Sequence, residues 1–201
     1  MTGGDIEAVE RATLAAVAPR ELTEIDGWLL GLDPGTIRRA ASAVPLVHDL
    51  KISAATLDRI EAAYNQRGLN PAFRLADQPG LAGVRALLAA RGYAAQQPTL
   101  VKFGSVTAMR DVTRGSPAET TATPPQGWAE VFLGEGFDPI DGANRIANLT
   151  RSPAGRSHMR KEAGAASLFA VILLKAMRNA SSGDECLRRS LRMRTFSAAK
   201  S

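Results

Sequence analysis

The chain reads as an α+β protein built on a small, mostly antiparallel sheet. Two observations predict this. Apolar residues recur at helical spacing in three early segments, and short apolar runs bounded by Pro, Gly and Asp lie between them, in the order α-β-β-α-β-α-β. At 201 residues and 45% hydrophobic content, the chain can bury the core of one domain, or of one and a fraction.

Ile6, Val9, Thr13, Leu14, Ala16 and Val17 make an amphipathic first helix that stops near Pro19. Ile25 to Leu32 and Arg38 to Val44 read as a hairpin bent at Asp33-Pro34-Gly35, where Pro presets φ and Gly permits a positive one. Ser53 is the predicted N-cap of a second helix, with Leu57, Ile60 and Tyr64 on its apolar side and Gly68 as its stop. Pro71 to Leu75 is a short strand. Leu81, Val84, Leu87 and Leu88 line a third helix closed by Gly92, and Thr99 to Phe103 is a further strand.

Residues 111–126, rich in Thr, Ser and Pro, read as a linker after a first domain at 1–110. Two helical pieces follow within 127–150, around Trp128, Val131 and Phe132 and around Ile146 and Leu149. Residues 151–201 read as a basic, partly disordered tail with one apolar helix at about 163–177.

Composition excludes several classes. Cys186 is the single cysteine, so an internal disulfide is impossible and a reducing, cytoplasmic setting is expected. Charges at Asp5, Glu7, Glu10, Arg11, Arg20 and Glu21 exclude a secretory leader in the first thirty residues. The apolar run from Gly164 to Leu174 is too short to span a bilayer, so no membrane association is expected. The net charge of +5 is unevenly placed: residues 151–201 carry eleven Lys and Arg against three acids, a net +8, and the remainder is −3. Without aromatic interleaving or a recognition module, that basic quarter predicts no specific nucleic-acid partner. Its apolar helix is a candidate for self-association.

The segment Gly27-Trp28-Leu29-Leu30-Gly31-Leu32 through Arg38-Arg39-Ala40-Ala41-Ser42-Ala43-Val44-Pro45-Leu46 resembles the "GWLLR…G…RRANSVNPL" string of bipartite GNAT-type N-acetyltransferases, in their N-terminal half. Tyr64 to Leu75 resembles the family's "FYxxRGLPPxFRL". Leu81 to Tyr93 resembles its "LdalLaaRGY", Pro98 to Val101 the strand after it, and Gly127 to Leu149 the opening helices of a second GNAT domain. The resemblance implies a GNAT-like mixed sheet with flanking helices over 1–110, followed by an incomplete second region. It also implies acetyl transfer from acetyl-CoA, as co-substrate, to an amine on a small molecule or a protein. Two positions depart from the pattern: Gly31 stands for an Arg and Ala41 for an Asn.

Acetyl-CoA carries a diphosphate, which that family seats on backbone amides at a helix N-terminus through a Q/R-x-x-G-x-G/A loop. Arg38 to Ala41, Arg91-Gly92, Arg114 to Pro117 and Arg151 to Arg156 all fail to match it. The chain is therefore expected to be a truncated or frame-shifted member, inactive alone. A non-catalytic binding or regulatory fragment is the competing class. Trp28, Arg39 and Tyr64 are the substrate-binding candidates. Each has a plainer reading, as a core indole, a solvated strand end and a packed ring respectively. No catalytic or cofactor-binding residue is assigned. His48 and His158 stand far apart without metal-ligand spacing, so no metal is expected.

Overall fold

The computed structural model describes residues 3–48, 53–102, 119–121, 127–153, 157–162, 165–168 and 190–198. Helix α1 (Gly3–Val17) leads into strands β1 (Glu21–Ile25), β2 (Trp28–Leu32) and β3 (Ala43–Pro45). Helix α2 (Ala54–Asn65), β4 (Ala72–Ala76), a 3₁₀ turn at Pro79–Leu81, α3 (Ala82–Ala90) and β5 (Tyr93–Lys102) follow. Beyond them come β6 (Glu119–Thr121), α4 (Glu130–Leu133), α5 (Pro139–Arg151), β7 (Ser157–Glu162), β8 (Ala165–Leu168) and β9 (Ser190–Ala198).

The main sheet has six strands in the order β1-β2-β3-β4-β9-β5, and β6-β7-β8 form a second, smaller one. All pairings are antiparallel except β3 with β4, which run parallel and share the single bridge Ala43–Phe73. An α+β architecture with a mostly antiparallel sheet is thus what the chain adopts.

Strand β2 is buried along its whole length. Trp28, Leu30 and Leu32 enter a core formed with Leu57, Ile60 and Tyr64 of α2 and with Val84 and Leu88 of α3. Leu29 faces the other way, into a second core with Leu14 and Val17 of α1. Each such side chain contributes about 1.5–3 kcal/mol by leaving water. Helix α2 ends as its sequence predicts: Gly68 takes φ of +65°, and the Leu69 N–H reaches the Tyr64 carbonyl at 3.0 Å.

The hairpin lies elsewhere than expected. Its strands are β1 and β2, and its turn is Asp26-Gly27, both at positive φ, with Ile25 facing Trp28. That is the geometry an Asp-Gly dipeptide favours, because its twist matches the strands. Asp33-Pro34-Gly35 instead opens a loop to Ser42. The buried Asp33 carboxylate holds that loop by accepting from the Arg20 N–H at 2.9 Å and the Gly35 N–H at 2.8 Å.

The C-terminal quarter also differs from expectation. Residues 165–168 of the predicted helix at 163–177 form strand β8, with Ala165 facing Glu162 across two intervening residues; positions 169–177 lie outside the described residues. An Ala-rich apolar run has no period that separates helix from strand. The Ser/Arg-rich end supplies β9, which fills the slot between β4 and β5 and places Met193 and Phe196 in the α2/α3 core. Arg192 and Arg194, and a register shift on β5 between Gln96 and Thr99, hide its alternation. Within the predicted linker at 111–126, residues 119–121 form β6; the rest of that range lies outside the described residues.

Helix α5 docks on the loop after β2 through polar groups. Asp138 caps α5 by accepting from the Asp141 N–H at 2.8 Å. Asp141 accepts from the Thr36 N–H at 3.1 Å and hydroxyl at 2.6 Å, and pairs with Arg145 at 2.7 Å. The buried Asn148 donates to Asp33 at 3.1 Å.

Two outcomes follow from this packing. Phe196→Ala should lower unfolding free energy by about 3–4 kcal/mol in urea titrations, the cost of an emptied aromatic core site; a change near zero would mean that β9 is not part of the cooperative unit. Desolvation alone would raise the Asp141 carboxyl, but its bonds from Thr36 and Arg145 outweigh this and hold it below the ordinary range. A depressed carboxylate contributes stability above its unfolded value and loses it as pH falls through the folded one. The difference between wild type and Asp141→Asn, at most about 1 kcal/mol for so solvated a pair, should therefore be present at neutral pH and vanish in acid.

Candidate functional site

The three sequence candidates do not converge on one cleft. Trp28, on β2, is fully buried, and its ring stands edge-on to Phe73 at 5.8 Å. Phe73 in turn meets Tyr93 edge-on at 5.2 Å. The indole Nε1 has no hydrogen-bond partner among the described residues. Tyr64, on α2, is equally buried in the same core, and its hydroxyl donates to the Gly31 carbonyl at 3.0 Å. Burial pushes its phenol far above the ordinary range, so at neutral pH it stays protonated and tied to that carbonyl. Arg39 is exposed, on the loop whose Ala40 packs into the α1-side core.

The departure at position 31 has a structural reason, whereas nothing in the structure explains the one at Ala41. The Gly31 N–H donates to the Ser42 carbonyl at 3.2 Å, so the 37–42 loop lies directly on β2. A Cβ at Gly31 would fall inside contact distance of the Ala40 carbonyl oxygen and close to a Leu14 methyl. An Arg there would have to lift the loop away. The small residue therefore closes this surface of the sheet.

Helix α2, which follows β3, carries its own ligands at its N-terminus. Ser53 caps α2 by accepting from the Thr56 N–H at 3.1 Å. The Thr56 hydroxyl donates to Asp26 at 3.1 Å, and Arg59 pairs with the same carboxylate at 2.7 Å. His48, at the end of the described stretch before α2, has both ring nitrogens buried without partners among the described residues, and burial pushes its imidazole below the ordinary range. Among the described residues, no group of three or more His, Cys, Asp or Glu is placed to hold a metal.

Some polar residues of consequence escaped the sequence reading. Glu10 and Arg74 form a buried ion pair at 2.6 Å between α1 and β4. Burial raises the Glu10 carboxyl, and Arg74 opposes that shift. Its spacing from Leu14 and Val17 places Glu10 on the apolar face of α1, which was the available signal. Asp33 announced itself only through the turn signal of Asp-Pro-Gly.

The family model described as Probable histone acetyltransferase Rv0428c C-terminal matches residues 3–158. A 73-residue stretch, 36% of this chain, is 40% identical to the probable histone acetyltransferase Rv0428c of Mycobacterium tuberculosis (strain ATCC 25618 / H37Rv). That stretch spans only about a quarter, 24%, of the relative's length. In shape, the chain is similar to a GCN5-related N-acetyltransferase from Kribbella flavida, with a TM-score of 0.50 and 13% identity over 98% of this chain and 97% of that one. The mixed, mostly antiparallel sheet with flanking helices is the GNAT fold.

Gly31→Ala tests the closed surface. Because the obstruction is backbone, the variant should lose about 2–3 kcal/mol of stability by urea unfolding; a neutral result would show that the loop is free to lift.

Proposed function

The chain belongs to the family described as Probable histone acetyltransferase Rv0428c C-terminal, and on that basis we propose that it serves acetyl transfer to an amine as a non-catalytic part. In this reading the sheet unit does not itself hold acetyl-CoA. The observation that carries the reading is the N-terminus of α2, from Ser53 onward, positions 49–52 lying outside the described residues. A diphosphate held at a helix N-terminus needs free, closely approachable backbone amides and no competing negative charge. The sequence from Leu46 to Ser53 contains no glycine, Ser53 engages the Thr56 amide, and the Asp26 carboxylate stands on the first turn. These residues do not fit the coenzyme's diphosphate. Trp28 and Phe73 add to this, since they fill the sheet beside the one bridge joining β3 and β4. The pairing of residues 190–198 on both sides favours an in-frame C-terminal stretch over a frame-shifted one.

The relative's name makes a protein amine the acceptor to try first. A lone cysteine agrees with a cytoplasmic setting. A second reading, a self-sufficient transferase, is favoured by the structural neighbour whose likeness runs the length of both chains.

Calorimetric titration with acetyl-CoA separates the two. The proposal expects no binding heat at millimolar ligand. Micromolar affinity, with acetyl transfer to a lysine-containing peptide, would establish the second reading instead.

A further inference from the structure

We propose that Arg74 and Arg39 form a binding site for a dicarboxylate ligand, which the chain keeps filled with its own Glu10, so that α1 is a strap the ligand displaces. Glu10 of α1 and Arg74 of β4 are 3% and 7% exposed and meet at 2.6 Å. One hydrogen bond, from Nη2, makes that contact, and the buried Nε of Arg74 has no partner among the described residues. A guanidinium matches a carboxylate best through two parallel bonds. Glu10, reaching in from a helix, supplies only one, and a donor is left over for a carboxylate that is free to orient itself.

Charge gives the class of ligand. Arg39, on the loop that lies on β2, also acts on Glu10 through its charge and makes no ion pair among the described residues. Two cations thus share one carboxylate, and one positive charge stays unbalanced. A small molecule with two carboxylates balances both, which Glu10 does not.

Helix α1 is held so that it can leave. No side chain from 6 to 9 is buried, and the apolar grip of Leu14, Ala16 and Val17 lies in the last turns, so Glu10 is the fastening nearest the start. At the exit, Ala18 has a φ of +40° directly before Pro19. Left-handed backbone is strained for an alanine, and a following proline favours the extended region instead. Arg151 of α5 helps to hold that strain, since its Nη2 donates to the Ala18 carbonyl at 3.2 Å. Releasing α1 relieves it.

Succinate titrated calorimetrically into the full chain, with hydrogen exchange of the α1 amides followed in parallel, tests this. Wild type should bind at millimolar ligand, and α1 should exchange faster along the same isotherm. Glu10→Ala, freed of the internal competitor, should bind about tenfold more tightly or better. Arg39→Gln should lose about tenfold in affinity for succinate and little for acetate. Glu10→Leu/Arg74→Met, which removes both buried charges at similar volume, should bind neither. Absence of binding to wild type, binding without faster exchange, no gain in Glu10→Ala, equal binding of sulfate, or binding by the double variant overturns the proposal. If Glu10→Ala is unfolded without ligand, succinate should restore its helical circular dichroism; a chain unfolded in both conditions overturns the proposal as well.

Discussion

The structure depends on the burial of one short strand from both sides. Trp28-Leu29-Leu30-Gly31-Leu32 has α1 packed on one face and α2 with α3 on the other, and both cores of the main sheet meet through it. A strand covered on both faces must be apolar throughout, and wherever a neighbouring backbone presses on it the side chain must disappear. Gly31 meets that demand: its amide, its carbonyl and its missing Cβ are all used, by Ser42, Tyr64 and Ala40 respectively. Tyr64 fastens α2 to this strand, and Ser42 fastens the loop to it.

Around this centre, the connections between elements are largely electrostatic. Asp26 ties the hairpin turn to α2, Glu10 ties α1 to β4 through Arg74, and Asp33 ties the β2 exit to both Arg20 and α5. The buried pair is a poor source of net stability, because desolvating both ions offsets most of their attraction. Its effect is selectivity: with either ion missing, the other would be left buried without compensation, so α1 can sit in only one register on the sheet.

Much of the fold was legible in the sequence. The three early helices declared themselves by spacing, and Ser53, Gly68 and Gly92 marked their ends where the structure has them. The hairpin was misplaced because β2 lacks alternation, and Pro-Gly then outweighed the Asp-Gly five residues before its close. Strand β9 was illegible because its two core residues, Met193 and Phe196, stand three apart beside arginines, off the period of two that marks a strand. The candidate site was legible only by residue type. Trp and Tyr carry an apolar body and a polar tip, which suits a cleft and a core equally, and burial alone decides between them. Here both are sealed inside.

The position of β9 imposes a timetable on biosynthesis. Strands β4 and β5 are complete by residue 102, yet the strand that separates them begins at 190. At ribosomal speed, roughly 4–18 s pass between the two, during which a half-built sheet presents two raw edges to solvent. The main sheet therefore closes only when the segment from residue 190 arrives between two strands made long before it.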